Sequence, residues 1–195
     1  MTETRRRGDD LENTIYAATL KILARDGYEK TTFAQIAREA KTSRTVLYRR
    51  WDTIFELVHD AIEHDVPEMR LENLLYDTGS VRGDLIALGK IFQAHGNKVN
   101  DEFVRASLQE FSSGSALAKR MMRQVEQVNF QIIGEICARA IERGELQQLP
   151  SKRVQLLLFE ILRYQGILLR NEALQDVEAI VDEIILPAYY AGGRG

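Results

Sequence analysis

The sequence predicts an all-α fold of about nine helices, with a small N-terminal helix-turn-helix domain and a larger C-terminal helical domain. Two observations predict it. Apolar residues recur at three- and four-residue spacing through most of the 195 residues. Prolines number only three, and no run shows the strict polar/apolar alternation of a half-buried strand.

Residues 1–10 are polar and charged and read as a disordered basic arm. Helix one is expected from a cap at Asp9 or Asp10, with Leu11, Ile15, Ala18, Ile22 and Leu23 on its buried stripe, and an end at Gly27. Helix two is capped by Thr31 or Thr32 and buries Phe33, Ile36, Ala37 and Ala40. Ser43 caps helix three; Val46, Leu47 and Trp51 face inward. Asp52 or Thr53 caps helix four, whose apolar residues are Phe55, Leu57, Val58, Ala61 and Ile62, and which ends before Pro67.

Met69 to Asp77 is read as a short turn or loop. Helix five is expected over 81–99, helix six over 101–111 and helix seven over 115–143, stopped by Gly144. Helix eight opens at Pro150-Ser151 and runs to about Leu169. Helix nine covers 176–190, with a break or bend near Pro187. The best boundary lies near Pro67, dividing 11–65 from 66–195.

A formal charge of −3 hides an uneven distribution. Residues 1–52 carry a net +3 and residues 53–195 a net −6. Between Lys30 and Arg50 there are six basic residues and one acid, Glu39. A basic module on an acidic body is suited to phosphate docking through one end.

Helices two and three join through a three- or four-residue turn, and the second is polar, basic and Ser-capped. A helix of this kind fits the width of the major groove. Arg44 has the reach for a guanine edge, and Thr45 for a thymine methyl or a phosphate. Tyr48, Arg49 and Arg50 suit phosphate contacts. Thr32, Thr42 and Ser43 complete the expected DNA-binding set, Thr32 through its hydroxyl and helix N-terminus. Arg5, Arg6 and Arg7 read either as an arm for the minor groove or as a solvated tail.

The full run TTFAQIAREAKTSRTVLYRRWDTIFELV resembles the DNA-binding region of the tetracycline-repressor (TetR) family. The matching features are Gly27-Tyr28, Thr31-Thr32, Ile36-Ala37, the Ser43-capped helix, Leu47-Tyr48 and the terminal aromatic Trp51. The resemblance is motif-level over about residues 11–63 and architectural beyond. Three positions depart from the family pattern: Lys41 where Gly is usual, Thr42 where Val is usual, and Asp52-Thr53-Ile54 where Pro-Ser-Lys is frequent. The last removes a lysine contact to phosphate, for which Arg49 and Arg50 are the expected replacements.

The resemblance implies a ligand-receiving triangle in helices five to seven and a dimer interface in helices eight and nine. The residues assigned to the ligand are Phe92, His95, Phe103, Phe111, Met121, Met122, Phe130 and Tyr164, with Arg105, Gln109 and Arg163 as further polar anchors. Those assigned to the interface are Phe159, Leu162, Val181, Ile184 and Ile185. Helix eight is apolar on most of its circumference and must be buried from two sides. The expected protein is a cytoplasmic homodimeric repressor of a palindromic operator, released by a small, largely apolar effector. The alternative is a DNA-binding regulator controlled by a protein partner, and a remote one is an all-helical enzyme.

Other chemistry finds little support. No Gly-rich phosphate loop, Ser elbow or zincin motif is present, and no cofactor or metal is expected. His59 and His64 are five residues apart, off the same-face spacing of a metal pair. The one cysteine, Cys137, cannot form an internal disulfide and reads as a small core residue rather than a sensor. No apolar run is long enough to span a membrane, and the N-terminus lacks the apolar core of a signal peptide.

Overall fold

The computed structural model describes residues 3–65, 71–98, 101–165 and 176–191, without the side chains of 3–9, 71–72 and 95–98. Its elements are α1 (Glu3–Asp26), α2 (Phe33–Glu39), α3 (Arg44–Tyr48), α4 (Ile54–His64), α5 (Leu71–Leu74), α6 (Val81–Lys98), α7 (Asp101–Ser113), α8 (Ala116–Glu142), α9 (Lys152–Arg163), α10 (Val177–Ile180), a π-helical turn (Val181–Ile185) and α11 (Leu186–Ala191). The described residues contain no strand. Two compact units emerge, one of residues 1–67 with 101–107 and one of 68–100 with 108–195.

The first unit is organised by α1. Ile15, Ala18 and Ile22 are buried with Ile36, Ala37 and Ala40 of α2, Leu47 of α3, and Leu57 and Ala61 of α4. α1 begins at Glu3, not at Asp9 or Asp10, so the stretch expected as a disordered arm is helical from that point. The side chains of Arg5, Arg6 and Arg7 lie outside the described residues.

Local chemistry sets the helix ends. Thr32, Ser43 and Thr53 all sit in extended backbone and accept the N–H three residues on, from Gln35, Val46 and Glu56. α2 ends in a Schellman motif: the Thr42 N–H donates to the Ala37 carbonyl at 2.9 Å and the Lys41 N–H to Arg38 at 3.3 Å. That motif requires a left-handed residue, and Lys41 provides it at φ 52°. α8 ends the same way, with Gly144 in the left-handed position.

The second unit has one core. Leu85 and Leu88 of α6 meet Ile132, Ile133, Ile136, Cys137 and Ala140 of α8, Leu158 and Phe159 of α9, and Val181, Ile185 and Tyr189 of the last helical stretch. Gly89 permits the closest approach: a Cβ there would lie 2.6 Å from the Val177 side chain. The irregularity expected at Pro187 is a π-helical turn just before it. The Leu186 N–H reaches back to the Val181 carbonyl, five residues away. Widening the turn ahead of a proline relieves the clash between its ring and the carbonyl four residues earlier.

α7 departs from the expected division at Pro67. It contributes Asp101–Ser107 to the first unit and its remaining turns to the second.

Candidate nucleic-acid interface

α3 is held from behind by Leu47, which is fully buried, and by Trp51 just after its end. The Trp51 indole N–H donates to Asp60 of α4 at 2.9 Å, and its ring meets Tyr16 of α1 edge-on at 5.8 Å. With that face pinned, Ser43, Arg44, Thr45, Tyr48, Arg49 and Arg50 are exposed together. Tyr48 is 57 % exposed, yet its ring is placed by Phe33 of α2 at 4.7 Å. A tyrosine ring packed against the preceding helix has fewer directions open to its hydroxyl.

The basic side chains differ in their engagements. Lys21 pairs with Glu39 and Arg25 with Asp26, so both cations are offset within the unit. Among the described residues Arg38, Lys41, Arg44 and Arg49 form no ion pair. Arg50 does: its guanidinium donates to the Glu12 carboxylate of α1. Glu12 also accepts the Tyr16 hydroxyl at 2.9 Å. The tyrosine's burial, reinforced by Glu12, raises its ionisation far above the usual range.

Two members of the expected set therefore change character. Thr32 spends its hydroxyl on α2, donating to the Gln35 side chain at 2.8 Å as well as accepting its N–H. Arg50 is tied to Glu12 rather than unengaged. The Glu12–Tyr16 contact follows from four-residue spacing and is visible in the sequence. The link to Arg50, 38 residues away, is not.

α7 also serves this unit. The Glu102 carboxylate accepts the Tyr28 N–H at 2.7 Å. Phe103 stacks on Phe55 of α4 at 5.3 Å and meets Tyr28 edge-on at 5.5 Å. Phe103, in helix six, is placed by the resemblance among the residues expected at the ligand. It is instead a buried core residue of the first unit.

The remaining ligand assignments separate by burial. Phe92 packs edge-on against Phe159 at 5.1 Å, and Met121 is buried. Phe111 and Phe130 are half-buried, the latter beneath the Lys152 ammonium at 5.8 Å. Met122 and Tyr164, both expected at the ligand, are exposed, at 55 % and 54 %. Arg105, Gln109 and Arg163 are exposed too. The His95 side chain lies outside the described residues.

The residues expected at the interface also separate by burial. Phe159, Leu162, Val181 and Ile185 are buried in the core of their own unit, and only Ile184 is exposed. An apolar stripe marks burial without stating which surface covers it. α9 and its C-cap carry a second stripe, Val154, Leu157, Ile161 and Tyr164, at spacings of three, four and three; the first three are half-buried and Tyr164 is exposed.

Among the described residues no group of three or more His, Cys, Asp or Glu is arranged to hold a metal. No described helix is long and apolar enough to cross a membrane. Cys137 is buried in the second core, where desolvation pushes its thiol up to about 12.

A capped, basic recognition helix seated on a three-helix support defines a helix-turn-helix DNA-binding protein. Residues 15–61 match the model of bacterial regulatory proteins of the tetR family, and residues 75–184 that of the tetracyclin repressor-like C-terminal domain. The chain belongs to the TetR family of transcriptional regulators. It is 30% identical over 179 residues to an HTH-type transcriptional regulator of Mycobacterium tuberculosis, covering 91% of this chain and 87% of that one. It is 25% identical over 193 residues to the DNA-binding transcriptional repressor TetR of Mycobacteroides abscessus, covering 96% and 98%. In fold it is similar to the transcriptional regulator FadR of Bacillus subtilis in complex with stearoyl-CoA, with a TM-score of 0.59 and 15% identity over 92% of this chain and 97% of that one.

Proposed function

We propose that the protein is a cytoplasmic homodimeric repressor that grips a palindromic operator through Ser43–Arg50 and is released by a small, largely apolar ligand. The observation that carries this reading is the exposed row Arg44, Thr45, Tyr48 and Arg49 along a capped helix and its C-cap, anchored on the opposite side by the fully buried Leu47. Arg44 reads a base edge, while Tyr48 and Arg49 hold phosphates. A two-fold dimer puts two such helices into major grooves about one helical turn, ~34–36 Å, apart.

Release requires that the ligand favour a state in which those helices no longer fit. α7 supports this coupling, because one continuous helix supplies residues to both units. A coupling of ordinary size, about 1–3 kcal/mol, lowers operator affinity roughly 5- to 150-fold. The M. abscessus relative named a repressor supports the direction of control. The stearoyl-CoA in the B. subtilis fold neighbour supports an apolar ligand. Phe92, Phe111, Met121 and Phe130 remain the candidates for its site. For the interface, the partly covered α9 stripe and Ile184 replace the four residues already buried in the core.

The test is to select bound fragments from the source genome and measure their release by fluorescence anisotropy. Stearoyl-CoA and free long-chain fatty acids are the first probes. Palindromic sites that these compounds release support the proposal. Palindromic sites released by no apolar compound, but by a protein, support partner control instead. Failure to enrich any DNA overturns the assignment of Ser43–Arg50.

A further inference from the structure

We infer that Glu12 is a specificity-determining residue, a carboxylate that engages Arg50 until a correctly seated phosphate displaces it. Of the three arginines in the recognition segment, Arg44 and Arg49 are exposed and make no ion pair among the described residues. Arg50 alone is claimed, by Glu12. The carboxylate is itself held in place. One oxygen accepts the Tyr16 hydroxyl at 2.9 Å and the other accepts the Arg50 guanidinium. Tyr16 is 7 % exposed and packed between Trp51 and His64, so this anchor does not swing with solvent.

The pair is partly open to water, with side-chain exposures of 33% for Arg50 and 40% for Glu12. In that setting an ion pair is weak enough to exchange partners. A phosphate displaces Glu12 only where the backbone lies close to Arg50, that is, where the helix is fully seated. A loosely bound, sequence-independent complex lacks that register and leaves Arg50 with Glu12. The carboxylate thus withholds one cation from non-specific binding, which is driven by phosphate neutralisation, and concedes it to the operator.

The inference rests on the assignment of Ser43–Arg50 to DNA. Its test uses the full-length protein, the selected operator and a scrambled duplex of equal length, across a salt series. Glu12→Gln keeps the shape and an oxygen for Tyr16 while removing the charge. It is expected to tighten scrambled-duplex binding several-fold and steepen its salt dependence by about one phosphate equivalent, ~0.9 in log–log slope. Operator affinity gains less, so the specificity ratio falls. Arg50→Gln should abolish the effect of Glu12→Gln in the double variant, and thermal melting of each variant checks that the unit remains folded. Arg44→Ala and Tyr48→Ala run in parallel. If they weaken operator binding while Glu12→Gln leaves both duplexes unchanged, or weakens both, the inference is overturned and the interface stands. If Arg44→Ala and Tyr48→Ala are also neutral, the interface assignment itself has failed.

Discussion

The Glu102 carboxylate lies 2.7 Å from the Tyr28 backbone nitrogen and accepts its hydrogen bond, fastening α7 to the turn that follows α1. The same oxygen stands 2.6 Å from where a Cβ on Gly27 would fall. Gly27 is thus required twice, by its φ of 80° and by the carboxylate beside it. Gly27→Ala is expected to destabilise the first unit by more than about 1 kcal/mol. Glu102→Ala removes a charged acceptor and should cost about 1–3 kcal/mol. Because both substitutions disturb one contact, their effects should not add. A double-mutant cycle read by denaturant melts checks this, and strict additivity would show the two to be independent.

Lys41 pays for the turn of the helix-turn-helix with a left-handed backbone. For an L-residue that conformation costs roughly 1–2 kcal/mol, and glycine recovers most of it while losing some through a freer unfolded chain. Lys41→Gly should therefore stabilise the protein by up to about 1 kcal/mol, seen as a melting temperature raised by about 2–4 °C. An unchanged or lowered melting temperature would mean that the lysine side chain compensates for its backbone.

Much of the first unit was legible in the sequence because its signals are local. Thr32, Ser43 and Thr53 each cap a helix that starts one residue later, and the left-handed position at Lys41 follows from the place of the turn. Longer-range facts were not legible. Phe103 has the same apolar character whether it lines a ligand site or stacks on Phe55, and Arg50 has the same charge whether it is free or held by Glu12. Helix eight shows why both its stripes were expected to be covered. Periodicity identifies Leu158, Phe159 and Leu162 as apolar alongside Val154, Leu157 and Ile161, but only the packing assigns the first group to the core.

Arg44 and Tyr48 should fail differently. Arg44→Ala is expected to cost about 1–3 kcal/mol at one base position and to relax the preference there. Tyr48→Phe keeps the ring on Phe33 and loses only the hydroxyl, so it should weaken binding modestly and equally across sequences. Tyr48→Ala also removes the ring contact with Phe33 and should weaken it further. Binding to a panel of single-base operator variants separates a lost base contact from a lost phosphate contact.

Cys137 makes a pH prediction. Its thiol ionises near 12 in the folded protein against 9.0 for the ordinary group. Above pH 9 the unfolded chain therefore loses a proton that the folded chain keeps. The contribution is fully present below about pH 9 and is lost as pH rises from there toward 12. Cys137→Ala or Cys137→Val should flatten the alkaline fall in stability. In the folded wild type at pH 8, alkylation by iodoacetamide should be slow and track global unfolding. Rapid labelling under native conditions would contradict the burial of the thiol.

The exposed and buried apolar residues of the last two helical stretches give the clearest contrast. Ile184 is 41 % exposed and Phe159 1 %. A charge at Ile184 meets water in the single chain, so Ile184→Glu should leave the fold intact and act only where a second copy covers that position. Tyr164→Glu, on the partly covered stripe of α9, should behave likewise. Phe159→Ala empties a filled core and should cost about 3–5 kcal/mol whatever the oligomeric state. Sedimentation analysis and melting temperature, read together, distinguish the cases. If Ile184→Glu and Tyr164→Glu yield folded monomers that bind the operator weakly, the interface lies on this face. If both stay dimeric, it lies elsewhere. If both unfold, their side chains contribute to the core more than their exposure allows.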